Sequence, residues 1–315
     1  MKNKKIIIAG GSGFLGRSLA KYWSPDNQLI ILSREQHINA GSITYLQWDG
    51  QTLGEWAAAL EGADLLVNLS GKSVNCRYNE ANKKAIFDSR TFSTQVLGQA
   101  VLAAKNPPKV WINAASATIY RHAEDHPMDE FNGEIANDFS VQVCKKWEQT
   151  FNDLSLPQTR KAILRIGVTL GSEPGGVMQP YCNLVKFGLG GQQGNGLQKY
   201  TWVHAEDVAG MMAWIAENPT LDGTFNCTSP NPVNNRIFMA TLRKAAGHYF
   251  GLPAAAWMLA IGARLIGTET ELLLKSRWVL PTRALQCGYN FRYPLLEPAI
   301  RNILSEMTRS SYHLF

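Results

Sequence analysis

The chain has 315 residues, of which 45% are hydrophobic and 18% are charged. This composition predicts a globular protein with a sizeable core and excludes intrinsic disorder. The formal net charge is +6, but the basic residues are scattered and form no stripe, so no nucleic-acid partner is expected.

Apolar runs alternate with helical patterns through the first half of the chain. Strands are predicted for KKIIIAG, QLIILS, ITYLQW, ADLLVNLS, KVWINAAS and RKAILRIGV, and helices for FLGRSLAKYW, 79–105 and 137–154. Strands that alternate with helices imply parallel pairing through right-handed crossovers. The predicted fold class is therefore α/β, with a doubly wound parallel sheet.

The pattern changes after Gly171. GSEPGG predicts a loop, and the segment 188–196 holds five glycines, which exclude a regular helix or strand throughout. YTWVHAEDVAGMMAWIAEN returns to strand and helix, and the chain is mostly helical from about residue 231. The most apolar stretch, 253–267, contains Arg264 and is too short to span a bilayer. We expect a core helix there and no membrane partner.

The cysteines and the N-terminus bear on the compartment. Five cysteines form no Cys-x-x-Cys pair, and their odd number favours free thiols in a reducing environment. The first residues lead directly into a strand, without a signal-peptide cleavage pattern. Both features predict a cytoplasmic protein.

The first strand and helix flank the motif Gly10-x-x-Gly13-x-x-Gly16. Glycines at this spacing permit a tight turn, bring backbone N–H groups close to a pyrophosphate, and let the helix pack against the strand. A strand before the motif and a helix after it are the context that supports a dinucleotide site. The predicted cofactor contacts here are Gly10, Ser12, Gly13, Phe14, Leu15 and Gly16.

Other predicted cofactor contacts follow the second and fourth strands. Ser33 and Arg34 stand where NAD-specific folds place an acid for the ribose hydroxyls, and they favour a 2′-phosphate instead. The expected cofactor is therefore NADP(H). Leu69 and Ser70 lie at the end of the fourth strand, near the expected cofactor. Arg90, on the next helix, is either a further contact to phosphate or ribose or a solvated side chain.

The motifs resemble those of the extended short-chain dehydrogenase/reductase superfamily. NLSGKSVNCRYNEANKKAIFDSR, RIGVTLGSEPGGVM and FGLGGQQGNGLQKYTWVHAEDVAG are similar to an atypical NADP-binding branch, the "epimerase family protein" branch. The tail SRWVLPTRALQCGYNFRYPLLEPAI resembles that branch's own C-terminal domain. The resemblance implies a Rossmann domain over residues 1–230, with a loop-rich insertion at about 171–200. It also implies a smaller, mostly helical domain on the substrate side over residues 231–315.

The catalytic set that the resemblance implies is incomplete. The superfamily uses a Ser or Thr after the fifth strand together with Tyr and Lys on the next helix. Ser116 takes the first place, but Ser140 and Cys144 stand where Tyr and Lys are expected, and neither supplies a phenol or a cation. Tyr120, four residues after Ser116, is the candidate proton carrier, and the alternative is a packing tyrosine.

Several other residues are candidates for a functional role. His204 either faces the cleft or is a hydrogen-bonded core histidine, and Asp207 suits a helix N-cap or first turn. His122 and His126 have i, i+4 spacing, but Pro127 ends the run and no metal is predicted. The glycine-rich segment 188–196 is either a mobile flap over substrate or an ordinary connection, and Tyr200 and Trp202 either wall a pocket or fill the core.

These observations favour an NADP(H)-dependent oxidoreductase that acts on a small carbonyl or hydroxyl compound. Two alternatives stay open: a cofactor-binding sensor or scaffold that has lost catalysis, and a nucleotide-sugar epimerase. The helices at 79–105 and 137–154 allow a homodimer.

Overall fold

The structure is a computed structural model that describes residues 1–265, 269 and 274–314. Within the described residues, the main sheet has seven strands, which lie side by side in the order Ile43–Gln47, Gln28–Ser33, Lys5–Ala9, Leu65–Asn68, Val110–Ser116, Arg160–Ile166 and Gly223–Cys227. Every neighbouring pair in this sheet is parallel. The predicted doubly wound sheet is confirmed.

The elements follow in chain order. The described strands are β1 Lys5–Ala9, β2 Gln28–Ser33, β3 Ile43–Gln47, β4 Leu65–Asn68, β5 Val110–Ser116, β6 Arg160–Ile166, β7 Val168–Leu170, β8 Lys199–Tyr200, β9 Trp202–His204, β10 Gly223–Cys227 and β11 Val233–Asn234. The described α-helices are α1 Phe14–Trp23, α2 Glu80–Ala103, α3 Phe139–Asn152, α4 Met178–Lys186, α5 Ala205–Glu217, α6 Asn235–Ala245, α7 Ala256–Leu265, α8 Thr282–Gln286 and α9 Leu296–Glu306. Short 3₁₀ turns occur at Glu55–Leu60, Ala117–Ile119 and Arg309–Ser311.

The side chains of β1 show why the sheet is covered on both faces. Ile6 and Ile8 belong to a hydrophobic cluster with Leu19 of α1 and with α5. Ile7 points to the opposite face, in a cluster with Leu97 of α2 and with α3. Successive side chains of a strand alternate between faces, so a continuous apolar run fits a strand that is buried on both sides.

One strand of the sheet was not predicted. β10, with the sequence GTFNC, pairs in parallel with β6 and forms the edge of the sheet. Its single large apolar residue, Phe225, is fully buried. A five-residue segment with Gly, Thr and Asn carries too little apolar pattern to predict a strand.

Residues after β6 also form a second layer with the C-terminal part of the chain. β8 pairs with β11, and β7 pairs with β9. One hydrophobic cluster joins Leu170 and Tyr181 to Phe238 of α6 and Ile300 of α9. The predicted insertion therefore contains a helix, α4, and packs with the C-terminal helices. The division into two domains stays a prediction.

A core helix was expected over residues 253–267, and this expectation is wrong for the first turn of α7. Trp257 and Met258 of α7 are 66% and 47% exposed, so apolar composition alone did not place this turn in the core. Residues 266 and 267 lie outside the described part of the chain. None of the described helices is both long and apolar enough to cross a bilayer.

Candidate functional site

The turn between β1 and α1 lies at the carboxyl edge of the sheet. Gly10 has a φ of +74°, and a Cβ there would lie 3.0 Å from the backbone of Ser70. A Cβ on Gly16 would lie 2.3 Å from the backbone of Gly11. Side chains at these two positions would therefore force the turn apart, and glycine is needed for the fold itself.

Gly13 is different, because the protein leaves its side-chain position open. The nearest atom to a Cβ there is the Gly10 carbonyl oxygen, at 3.7 Å. Gly13 is also the N-cap of α1 and makes no side-chain cap, so the first N–H groups of the helix, on Phe14, Leu15 and Gly16, are left for another acceptor. This open helix start fits the close approach of a phosphate.

A small polar cluster stands at the end of β2. The hydroxyl of Ser33 donates to Oγ of Ser12 over 3.2 Å, and Nε2 of His37 lies 3.1 Å from the same Ser33 oxygen. The His37 ring packs on Tyr45, with 4.7 Å between centroids, and Arg34 is exposed beside them. Hydroxyl, imidazole and guanidinium groups suit a phosphate, and β2 ends with Ser33 and not with an acid.

The chain after β4 forms the facing wall of the turn. The N–H of Leu69 donates to the carbonyl of Ala9 over 2.9 Å, which ties this segment to β1. The Oγ of Ser70 is buried and has no hydrogen-bond partner among the described residues. Buried hydroxyls are normally paired, so this one is available to a ligand. Arg90 is half-buried beside Gly71, and not the solvated arginine of the alternative.

Ser116 ends β5, and its hydroxyl is engaged locally. Its Oγ donates to Oγ1 of Thr118 over 2.9 Å and accepts from the Thr118 N–H over 3.2 Å. The side chain is half-buried at the carboxyl end of β5. Ser116 therefore ends the fifth strand, and its role in catalysis stays a prediction.

The structure does not support Tyr120 as a proton carrier. Its side chain is 1% exposed, its hydroxyl donates to Oδ1 of Asn226 over 3.1 Å, and it accepts from Nη1 of Arg165 over 2.8 Å. Burial raises the pKa of the phenol. Tyr120 is a packing residue, because β6 and β10 surround it with its own hydrogen-bond partners.

The helix expected to carry Tyr and Lys holds an internal ion pair instead. Burial raises the pKa of the Cys144 thiol to about 12, so the thiol stays neutral. One turn further on, both carboxylate oxygens of Glu148 accept from Arg165 of β6, over 2.8 and 2.7 Å. Ser140 is half-buried near the start of the helix. α3 therefore presents neither a phenol nor an ammonium group at these two positions.

The residues around β9 are structural. Nδ1 of His204 accepts from the N–H of Glu206, which makes His204 the N-cap of α5, and burial lowers its pKa to about 4. Asp207 lies in the first turn of that helix and accepts from the N–H groups of Arg292 and Tyr293. Trp202 is fully buried in the core.

The remaining expectations concern loops and packing. Tyr200 belongs to the same core cluster as Trp202. The glycine-rich segment is tied to the C-terminal layer, since the N–H of Gly191 donates to Leu252 and Arg236 donates to Gln192; these bonds favour an ordinary connection over a mobile flap. His126 pairs with surface carboxylates. No group of metal-binding side chains occurs in the part of the chain that the structure describes.

Sequence reasoning missed two groups at the site. His37 was overlooked, although its place four residues after Ser33 puts it beside the end of β2. Arg17 was also overlooked: it donates to the carbonyls of Ser12 and Pro174 and so holds the loop after β7 against the first turn. Its position directly after Gly16 was the available signal for a role in the turn.

Two protein-family models match parts of the chain. A model of the NAD dependent epimerase/dehydratase family matches residues 6–141, and a model of a C-terminal domain of unknown function, DUF1731, matches residues 254–303. Epimerase family protein YfhF of Bacillus subtilis is 31% identical over 306 residues, which are 96% of this chain and 98% of that protein. The chain belongs to this epimerase family.

Solved structures agree with the family assignment. Human epimerase family protein SDR39U1, solved with NADPH, is 29% identical, has a TM-score of 0.85, and is matched over 96% of this chain and 100% of that one. UDP-N-acetylglucosamine 4-epimerase from Bacillus cereus is 20% identical with a TM-score of 0.76, over 97% and 96% of the two chains, and shows a shared fold. The resemblance found in the motifs of this epimerase-family chain is confirmed.

Proposed function

We propose that the protein binds NADP(H) across the carboxyl edge of the sheet and is an oxidoreductase for a small carbonyl or hydroxyl compound. The observation that carries the cofactor assignment is the open turn at Gly13, faced by the unpaired buried hydroxyl of Ser70. The cluster of Ser12, Ser33 and His37, with Arg34 beside it, supports NADP(H) over NAD(H). The relative solved with NADPH adds support.

Different residues of the chain would bind the cofactor and the substrate. The N–H groups at the start of α1 would hold the pyrophosphate, and the β2 cluster would hold the 2′-phosphate. Ser116 would bind the substrate oxygen by turning its O–H from Thr118 Oγ1 toward the substrate, while the Thr118 N–H keeps the serine oxygen in place. When bound, the cofactor supplies hydride chemistry at the nicotinamide ring. Since the Tyr120 hydroxyl is fully engaged, we expect water to supply the proton.

The test is turnover by the purified protein. We expect NADPH oxidation with at least one member of a carbonyl panel, and in Ser116→Ala a loss of kcat of roughly 100- to 1,000-fold, the range for removing one oxygen-stabilising donor. NADPH affinity should be unchanged in that variant. Cys287→Ser changes an exposed position directly after α8 and is the control for handling and purity. Tight NADPH binding without turnover over a broad panel would contradict the proposal.

A second candidate function is a cofactor-dependent sensor or scaffold. The observation that favours it is α3, where a buried neutral thiol and an internal ion pair occupy the places of a catalytic phenol and cation. A partner whose affinity depends on the ratio of NADPH to NADP⁺ would support this function, and indifference to that ratio would exclude it.

Three further assignments belong to the proposal. A UDP-sugar that binds beside the cofactor would favour nucleotide-sugar epimerisation. A cytoplasmic location rests on the odd cysteine count. A homodimer through α2 and α3 is tested by the mass of the protein in solution.

A further inference from the structure

The environment of Arg90 differs from that of Arg165, which also lies near α3. Arg165 is neutralised by Glu148, whose two oxygens accept from it. Arg90 is half-buried and has no carboxylate partner among the described residues. Burial lowers the pKa of Arg90, which shows that its charge is partly removed from water. A desolvated cation without an acid is costly unless another group compensates it.

The guanidinium group bridges two walls of the cofactor site. On one side, Nη1 donates to the carbonyls of Lys72 and Ile86 over 3.1 and 3.0 Å. A Cβ on Gly71 would lie 2.9 Å from Cζ of Arg90, so a side chain there would displace the guanidinium group. Gly71 directly follows Ser70, whose backbone packs on the first glycine of the dinucleotide turn.

On its other side, the same group reaches α3. Cζ of Arg90 lies 5.1 Å from the ring centroid of Trp147, which is one turn beyond Cys144. Arg90 is also one of the cations that oppose the rise in the pKa of the Cys144 thiol. A positive charge thus stands beside the helical position where the resemblance implies a lysine, but it is carried there by α2.

Part of the guanidinium remains unused. Nε and Nη2 of Arg90 donate to no group in the described residues, and neither is among the fully buried atoms without a partner. These N–H groups therefore keep some contact with solvent, and Nη2 lies beside Gly71, which directly follows the unpaired Ser70 hydroxyl. Charged N–H donors in such a place suit hydroxyl or phosphate oxygens.

We propose that Arg90 binds the nicotinamide-ribose half of NADP(H) and takes the place of the missing helix lysine as the cation beside the ribose. The inference rests on the proposed cofactor site. It makes Arg90 a positioning residue whose loss is felt by the nicotinamide half of the cofactor and not by the adenosine half.

The experiment compares two ligands that differ by that half. NADPH and adenosine 2′,5′-bisphosphate, which lacks the nicotinamide ribose, are titrated calorimetrically against the full-length wild type and Arg90→Met. We expect Arg90→Met to weaken NADPH by about 10- to 100-fold, the range for charge-assisted hydrogen bonds, and to change the bisphosphate less than about twofold. Lys84→Met removes the same charge from an exposed position of α2 and should change neither affinity.

Further variants keep the test decisive. Arg90→Lys should recover part of the NADPH affinity, because it keeps the cation. If Arg90→Met does not fold, Arg90→Gln is read in the same way. Unchanged NADPH affinity, or equal loss for both ligands, overturns the inference and leaves the cofactor site standing. A wild type that binds neither ligand overturns the proposed function as well.

Discussion

Polar groups at the β1–β2–β4 end of the sheet edge face an open turn, whereas those at the β5–β6–β10 end are paired with one another. At the first end, Ser70 has no partner among the described residues and Gly13 faces open space. At the second end, Tyr120 and Arg165 are joined to Asn226 and Glu148 by hydrogen bonds. The first region is arranged to bind a ligand. The second region is stabilised by its own hydrogen bonds, at the place where the resemblance implies catalytic groups.

The largest effect is expected for a substitution that breaks the ion pair in the internally paired region. Glu148→Gln leaves Arg165 buried without its carboxylate, and breaking a buried ion pair costs about 3–5 kcal/mol. Urea unfolding at neutral pH should show this loss of unfolding free energy, while NADPH affinity of the folded protein stays the same. Glu297→Gln breaks an exposed pair with Arg301 and should leave stability unchanged. Equal effects of the two variants would contradict the comparison.

The next prediction addresses the polar cluster of the open region. Ser33→Asp places a carboxylate beside Ser12 and His37. We expect NADPH affinity to fall by roughly 10- to 100-fold, since like charges a few ångströms apart near a surface repel by a few kcal/mol, and NADH affinity to hold or rise. Ser33→Ala is the matched control without charge. The ratio of the two dissociation constants is the measurement, and a ratio that does not move would remove the 2′-phosphate assignment.

The stability of the protein is expected to depend on pH through the buried histidine His204. His204 is 3% exposed, and burial lowers its pKa to about 4 from 6.5. The unfolded chain therefore takes up the proton first, so this contribution to stability is complete above pH 6.5 and is lost as the pH falls toward 4. Between pH 7 and pH 5 the loss amounts to about 2 kcal/mol.

His204→Asn tests this pH effect because asparagine also caps a helix N-terminus. Denaturation at pH 7 and pH 5 should show a smaller acid loss for the variant than for the wild type. The same slope in both proteins would mean that other groups carry the pH dependence.

The smallest effect is expected for a substitution in the open turn. Gly13→Ala places a methyl group where the protein has no atom within 3.7 Å. Stability should fall by about 1 kcal/mol or less, because alanine is a poorer N-cap than glycine, whereas NADPH affinity should fall by about tenfold through a steric cost of about 1–2 kcal/mol. Calorimetric titration and urea unfolding of the same preparation separate the two. A loss of stability without a loss of affinity would contradict a ligand-facing turn.

The sequence alone was sufficient for the local features of this protein. α1 and β2 have the predicted bounds, and the turn at Gly10 has the conformation that its glycine motif requires. These features depend on apolar periodicity and backbone freedom within a few residues, which a single sequence displays directly.

Only the tertiary structure decided the fate of residues whose partners are distant in the chain. Tyr120 meets Asn226 across 106 positions, and Arg90 reaches Trp147 from another helix. β10 joins the sheet through pairing with β6 and not through its own pattern. Burial and hydrogen-bond partners are set by which elements the fold brings together, so no local signal distinguishes a buried, satisfied tyrosine from a catalytic one.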